Sequence, residues 1–197
     1  MISLSPPYRH AVQDDARALA ELVNIAGDGF PLHVWKRMAQ PGETAWDVGR
    51  RRAAGDFIHG GSSYRNAVVV DEGAGAVAAL VGYPLRDVPE PIGPDTPAMF
   101  VPMLELENEA CGTWYINVLA AYTEHRRLGH GSRLLSIAEL LMRDSGLARL
   151  SLIVSDTALE ARRLYERVGY RQLASREMVK EDWQNPGTTW RLLVKTP

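Results

Sequence analysis

The stretch Arg126-Arg127-Leu128-Gly129-His130-Gly131-Ser132 constrains this chain more than any other. Before it, Thr113 to Ala120 is the most strand-like segment, rich in aromatic and β-branched residues. After it, Gly131 to Ser145 places Leu134, Leu135, Ala138, Leu141 and Met142 on one helical face. A glycine-bearing loop therefore joins a strand to the start of a helix. Free backbone N–H groups and the positive end of the helix dipole meet at such a start, and glycines let an anion approach the backbone closely. The physical reading is an anion site; the competing one is a plain strand-to-helix turn with glycines for steric room. Two other phosphate loops do not fit. A Walker A loop needs Lys and then Ser or Thr directly after its last glycine, where this chain has Ser132-Arg133. A dinucleotide-binding GxGxxG needs glycine or alanine at position 134, where Leu134 stands as a core residue, so a Rossmann-type oxidoreductase is disfavoured.

The rest of the chain supplies the elements around this junction. Tyr8 to Val12 reads as a short strand, followed by an amphipathic helix that opens on Asp14-Asp15 and stops near Gly27. Leu32 to Ala39 and Ala45 to Ala54 read as helices, with Arg50-Arg51-Arg52 as a solvated face. Tyr64 to Val70 and Ala76 to Tyr83 form a hairpin around Asp71-Glu72-Gly73-Ala74-Gly75. Pro84 to Pro97 is an irregular loop, and Met99 to Ala110 has helical spacing. Leu150 to Val154 is a strand and Thr157 to Val168 a helix ended by Gly169; Tyr170 to Ala174 and Thr188 to Lys195 close the chain as strands, the latter alternating Trp190, Leu192 and Val194 against Arg191 and Lys195. The class is mixed α/β with an antiparallel start.

At 197 residues the chain is read as a single domain over 1–197, since ~150 residues is the usual domain scale. With 22 basic and 24 acidic residues it is too balanced to neutralise a phosphate backbone, so no nucleic-acid partner is expected. No apolar run approaches the ~20 residues that span a bilayer, so no membrane partner is expected either. The N-terminus lacks a basic stretch and apolar core, and Cys111 is the one cysteine, so a reducing cytoplasmic location is expected. Cys111 reads as a small buried hydrophobe. His125 and His130 flank the glycine loop as phosphate neighbours or surface residues, and no metal site is expected.

Arg126, Gly129 and Gly131 resemble the Gln/Arg-x-x-Gly-x-Gly/Ala hallmark of the GNAT (Gcn5-related) N-acetyltransferase superfamily. Ala161-Arg162-Arg163-Leu164-Tyr165-Glu166-Arg167-Val168-Gly169-Tyr170 resembles the ending of that family's late helix, in the correct order and ~35 residues downstream. One position departs, because Ala158 stands where family members often carry Asn. The resemblance implies a mostly antiparallel central sheet flanked by helices, an α/β (α+β) fold splayed between the strands at about 113–120 and 150–154, with acetyl-CoA bound there. It implies that the backbone of Val118, Leu119 and Ala120 pairs with the pantetheine arm. It implies that the amides from Arg127 through Leu128, Gly129, His130 and Gly131 to Ser132 hold the pyrophosphate. It also implies that Tyr165 sits near the thioester sulfur, where a phenol can protonate the departing thiolate.

Asp71 to Asn117 holds eight acids against Arg86 alone, net −7, whereas Ala120 to Arg167 is net +2. One half suits CoA phosphates and the other a cation, which points to a small-molecule or peptide amine as acceptor; a solvated acidic face is the competing reading. An amine must lose a proton before attack, and Glu107, Glu109 and Asn117 are the candidates, with Glu107 first because helical neighbours at i, i+2 cannot both face one site. The expected activity is N-acetyl transfer by direct attack in a ternary complex. The alternative is a non-catalytic acyl-CoA sensor with the same fold, and a homodimer is left open.

Overall fold

The computed structural model describes residues 2–55 and 61–197. Strands β1 (Tyr8–His10), β2 (Ala67–Asp71), β3 (Ala76–Pro84), β4 (Trp114–Ala121), β5 (Leu150–Ser155), β6 (Arg171–Glu177) and β7 (Thr189–Lys195) form one sheet in the order β1-β2-β3-β4-β5-β7-β6. The helices are α1 (Ala16–Ala26), α2 (Phe30–Met38), α3 (Ala45–Ala53), α4 (Val101–Glu109), α5 (His130–Asp144) and α6 (Leu159–Arg167). Four of the strand pairings, β1–β2, β2–β3, β5–β7 and β6–β7, are antiparallel and β4–β5 is parallel, as the mixed class anticipates. The chain divides into two compact units, one of Met1–Tyr83 with Asn117–Ala138 and one of Pro84–Ile116 with Glu139–Pro197.

In the first unit, α1 turns Leu19, Ala20, Leu22 and Val23 onto a core that includes Trp35 of α2, Val48 and Ala53 of α3, and Ala67, Val69, Ala79, Val81 and Val118 of the strands. Leu19 and Leu22 are wholly buried, and each such leucine contributes roughly 2 kcal/mol of transfer free energy. Helix α3 starts from a capping box in which Thr44 Oγ1 accepts from the Asp47 N–H at 3.2 Å and Asp47 accepts from the Thr44 N–H at 2.8 Å. The Thr44 hydroxyl, donating to the Asp47 carboxylate at 2.6 Å, and then the Thr44 N–H and Arg50 hold that carboxyl down at about 2. Arg50 pairs with Asp47 and Arg51 with Glu43, so the arginine run is the solvated face that the sequence suggests. Gly49 sits inside α3 for a packing reason: a Cβ there would lie 2.5 Å from the Trp35 ring.

In the second unit, Leu150, Leu152, Leu192 and Leu193 are buried where β5 pairs with β7, and Leu106 of α4 is wholly buried. Thr113 Oγ1 and Ser151 Oγ share a buried hydrogen bond of 2.6 Å. Several boundaries differ from the sequence reading. Tyr64–Asn66 is a 3₁₀ turn capped by Ser63, whose side chain accepts from the Arg65 N–H, so β2 begins only at Ala67. The last helix begins at Leu159 rather than Thr157, because Ser155 Oγ accepts from the Thr157 N–H and bonds the Thr157 hydroxyl, closing a turn there. Leu193 is buried beside Leu192, so β7 does not alternate cleanly: this strand is paired on both edges and covered on both faces at that point. Cys111 is only partly buried and its thiol donates to Asn108 O at 3.1 Å.

Candidate functional site

The glycine loop lies wholly within the first unit, at the start of α5. Gly129, at φ +89°, precedes the helix, and its carbonyl accepts from the Arg133 N–H at 3.1 Å. Arg127 also takes the left-handed region at φ +63°. Alternation of this kind tilts successive peptide planes so that their N–H groups point the same way, an arrangement suited to an anion. The consequence is visible in the hydrogen bonding: among the described residues, none of the four consecutive amides of Gly129, His130, Gly131 and Ser132 donates to a protein acceptor. A helix start leaves its first amides free as a matter of geometry. Here the run includes Gly129, one residue before the helix.

The segment leading into the loop is anchored. The Tyr122 N–H donates to Val77 O at 3.0 Å and the Tyr122 hydroxyl donates to Glu21 Oε2 at 2.5 Å, which fixes the exit of β4. Burial and the Glu21 carboxylate raise the Tyr122 phenol, keeping it a donor. Arg126 Nε donates to Ala121 O at 3.2 Å, with the side chain exposed. Val118 belongs to the apolar core and Ala120 packs against it, so these two share one strand face while Asn117 and Leu119 alternate onto the other. The β4–β5 pairing runs only from Trp114 and Leu150 to Ile116 and Leu152. Beyond it, β4 backbone groups at 118–120 lack a partner from β5.

Glu107 and Tyr165 both fall in the second unit. Helix α4 sorts its three glutamates as its geometry requires. Glu105 and Glu109, four apart, meet one guanidinium, with Arg176 Nε 2.7 Å from Glu105 and Nη2 2.5 Å from Glu109. Glu107 faces elsewhere: its carboxyl is crowded by neighbours, lies near Glu90 and accepts a hydrogen bond from the Tyr115 hydroxyl. Burial first, and the Glu90 charge second, push its pKa up to about 7 against the opposing pull of Tyr115. Glu90 is set there by Asn108, whose side chain bonds both the Glu90 N–H, at 2.8 Å, and the Glu90 carbonyl, at 2.9 Å. Tyr165 is 6 % exposed, tilted against Tyr170 at 5.7 Å between ring centroids, and makes no side-chain hydrogen bond among the described residues. Burial raises its pKa, so it stays a protonated phenol.

One expectation changes. The acidic stretch 71–117 is not a free negative surface: Asp71 pairs with Arg9, Glu72 with two histidines, Glu90 with Arg86, and Glu105 and Glu109 with Arg176. Net charge counted along the segment left out Arg9 and Arg176, which lie outside it in the chain. His125 and His130, which flank the loop, both contact Glu72. Sequence reasoning missed Tyr115, Glu90 and Glu72; each acts through a contact formed by folding, and only the position of Glu72 in a hairpin turn was legible. A cavity of about 520 Å³ in the first unit, lined by Arg17, Glu21, Trp46 and Arg50, includes none of the anticipated site residues. Among the described residues no cluster of His, Cys, Asp and Glu is arranged to hold a metal, and no helix is long and apolar enough to cross a membrane.

Residues 37–170, including the glycine loop and the Tyr165 helix, match the model of the acetyltransferase (GNAT) family. The chain belongs to the acetyltransferase (GNAT) family. Its fold agrees. The crystal structure of an acetyltransferase superposes with a TM-score of 0.63 at 20% identity, covering 98% of this chain and 99% of that one. An N-acetyltransferase from Staphylococcus aureus Mu50 gives 0.60 at 16% identity over 95% and 98%. A ribosomal-protein-alanine N-acetyltransferase from Brucella melitensis gives 0.58 at 18% identity over 96% and 99%. No curated protein matches the sequence. The GNAT resemblance read from Arg126, Gly129, Gly131 and the Tyr165 segment is thereby established at the level of family and fold.

Proposed function

We propose that this GNAT protein moves acetyl from acetyl-CoA to a primary amine, by direct attack within a ternary complex. The observation that carries the reading is the run of four unpaired amides from Gly129 to Ser132 at the start of α5. These amides would hold the pyrophosphate, because a diphosphate supplies acceptors to N–H groups that otherwise have none, at the positive end of a helix dipole. The edge of β4 at Val118, Leu119 and Ala120 that faces away from β3 would accept the amide-bearing pantetheine arm as an added strand. Acetyl-CoA brings the activated thioester, and the chain supplies proton handling.

Glu107 would act as general base. A carboxyl at about 7 is half ionised near neutrality, so it can take a proton from an ammonium and still be regenerated. Tyr165 would act as general acid, donating its phenolic proton to the leaving thiolate; its raised pKa keeps that proton in place until sulfur develops charge. Asn117 would serve as a polar group for the acceptor or an intervening water. The cytoplasm, where acetyl-CoA is made and used, is the proposed compartment, and the chain is proposed to act as one catalytic domain. Thermal unfolding tests the cofactor half of the reading. Acetyl-CoA should raise the midpoint while NADH leaves it unchanged, since a ligand bound only by the native state stabilises it. Gly131→Val should abolish the acetyl-CoA shift by placing a branched side chain where the pyrophosphate meets the backbone. A folded Gly131→Val protein that keeps the full shift would remove the loop from the account.

A further inference from the structure

Unpaired amides at the start of α5, on a loop that places Arg127 and Gly129 in the left-handed region, need something to hold them in place. The turn between β2 and β3 supplies the hold. Glu72 Oε1 accepts from His130 Nε2 at 3.1 Å, and Glu72 Oε2 lies 2.9 Å from His125 Nδ1. His125 stands just before the loop and His130 is the first residue of α5, so one carboxylate ties the segment before the loop to the start of the helix after it. With Nε2–H given to the carboxylate, His130 Nδ1 is left to accept the Tyr8 hydroxyl at 3.4 Å, and the Tyr8 ring meets the imidazole edge-on at 6.3 Å. The gripping turn is itself fixed: Asp71 accepts from the Gly73 and Gly75 amides and from Arg9, and Arg9 also pairs with Asp15. Glu72, His125, His130 and Tyr8 all belong to the first unit.

We infer that Glu72 is a positioning residue for the anion loop, holding the 127–132 amides in their binding arrangement through His125 and His130 and so setting the affinity for CoA without touching it. The inference rests on the reading that this loop binds the CoA pyrophosphate. Its sign is what makes it testable. A carboxylate beside a diphosphate site repels the ligand, so if Glu72 were only a surface charge, removing it would tighten binding. As a clip, its removal weakens binding although the repulsion is relieved.

Calorimetric titration of free CoA separates the two. Glu72→Ala should weaken binding by about 10-fold through loss of loop organisation. Glu72→Gln should remain within about 3-fold of the wild type, because its carbonyl can accept from His130 and its NH₂ can donate to the other His125 tautomer. In a His125→Ala, His130→Ala background, the further change Glu72→Ala should no longer weaken binding, since Glu72 acts through those rings. Should Glu72→Ala bind CoA as tightly as the wild type or more tightly, the inference is overturned while the functional reading stands. Failure of Glu72→Gln to restore affinity would also overturn it. Absence of CoA binding by the wild type would overturn the parent reading, and this one with it.

Discussion

At the scale of single residues, the proposed chemistry turns on two protons. Glu107 carries a carboxyl whose pKa is pushed up to about 7, above the ordinary glutamate value, so the folded state binds a proton that the unfolded state has released. Stability therefore falls as pH rises between the ordinary value and about 7, and the loss is complete above that. Glu107→Gln removes the charge and keeps an oxygen for Tyr115. It should match the wild type near pH 4 and exceed it by up to roughly 3 kcal/mol at pH 8, as read by denaturant unfolding at both pH values. The same variant should lose the rise in turnover through pH 7, which requires the ionised base. A variant both less stable at pH 8 and unchanged in its pH profile would make Glu107 an ordinary helix residue. Tyr165→Phe keeps the ring on Tyr170 while removing the phenolic proton, and no hydrogen bond among the described residues is lost. Acetyl-CoA affinity should persist and single-turnover rate should fall by ~10²-fold, equivalent to about 2.7 kcal/mol. An unchanged single-turnover rate would reject Tyr165 as the acid.

Elements show where packing overrides local preference. Gly49 in the interior of α3 looks like a propensity defect worth about 1 kcal/mol against alanine. The Trp35 ring occupies the space of the missing Cβ, at 2.5 Å, and Trp35 is itself buried and packed edge-on against Trp46. Gly49→Ala should therefore destabilise by about 1–3 kcal/mol despite its better helix propensity, as measured by urea unfolding; a stabilised variant would show that the ring yields freely. The elements themselves were largely legible from the sequence, because amphipathic periods such as Leu19, Leu22 and Val23, or Leu134, Leu135 and Ala138, follow directly from which face must be buried. Boundaries were less so: Ser63 and Ser155 close local turns with their own side chains, competing with strand and helix at Tyr64 and Thr157. Helical spacing correctly separated Glu107 from Glu105 and Glu109. It gave no hint that Arg176, some 70 positions on, would claim the latter two.

Across the whole molecule, two signals carried the family from the sequence. They were the glycine loop at a strand-to-helix junction and the Tyr165 segment after one more strand, and the family match spans both. What composition suggested about the acceptor was less dependable, since Asp71, Glu105 and Glu109 of the 71–117 segment are paired with Arg9 and Arg176, brought in by folding. The amine reading now leans on Glu107, a base of about the right strength, rather than on an acidic surface. The most direct test is to incubate the full chain with acetyl-CoA and a panel of primary amines spanning polyamines, amino acids, aminoglycosides and peptide N-termini, following free thiol and acetylated product together. Thiol release that depends on one class of amine, with matching N-acetyl product and strong loss in Tyr165→Phe, is the predicted result. Acetyl-CoA that binds and protects the protein yet yields no product with any amine would contradict it and favour an acyl-CoA sensor.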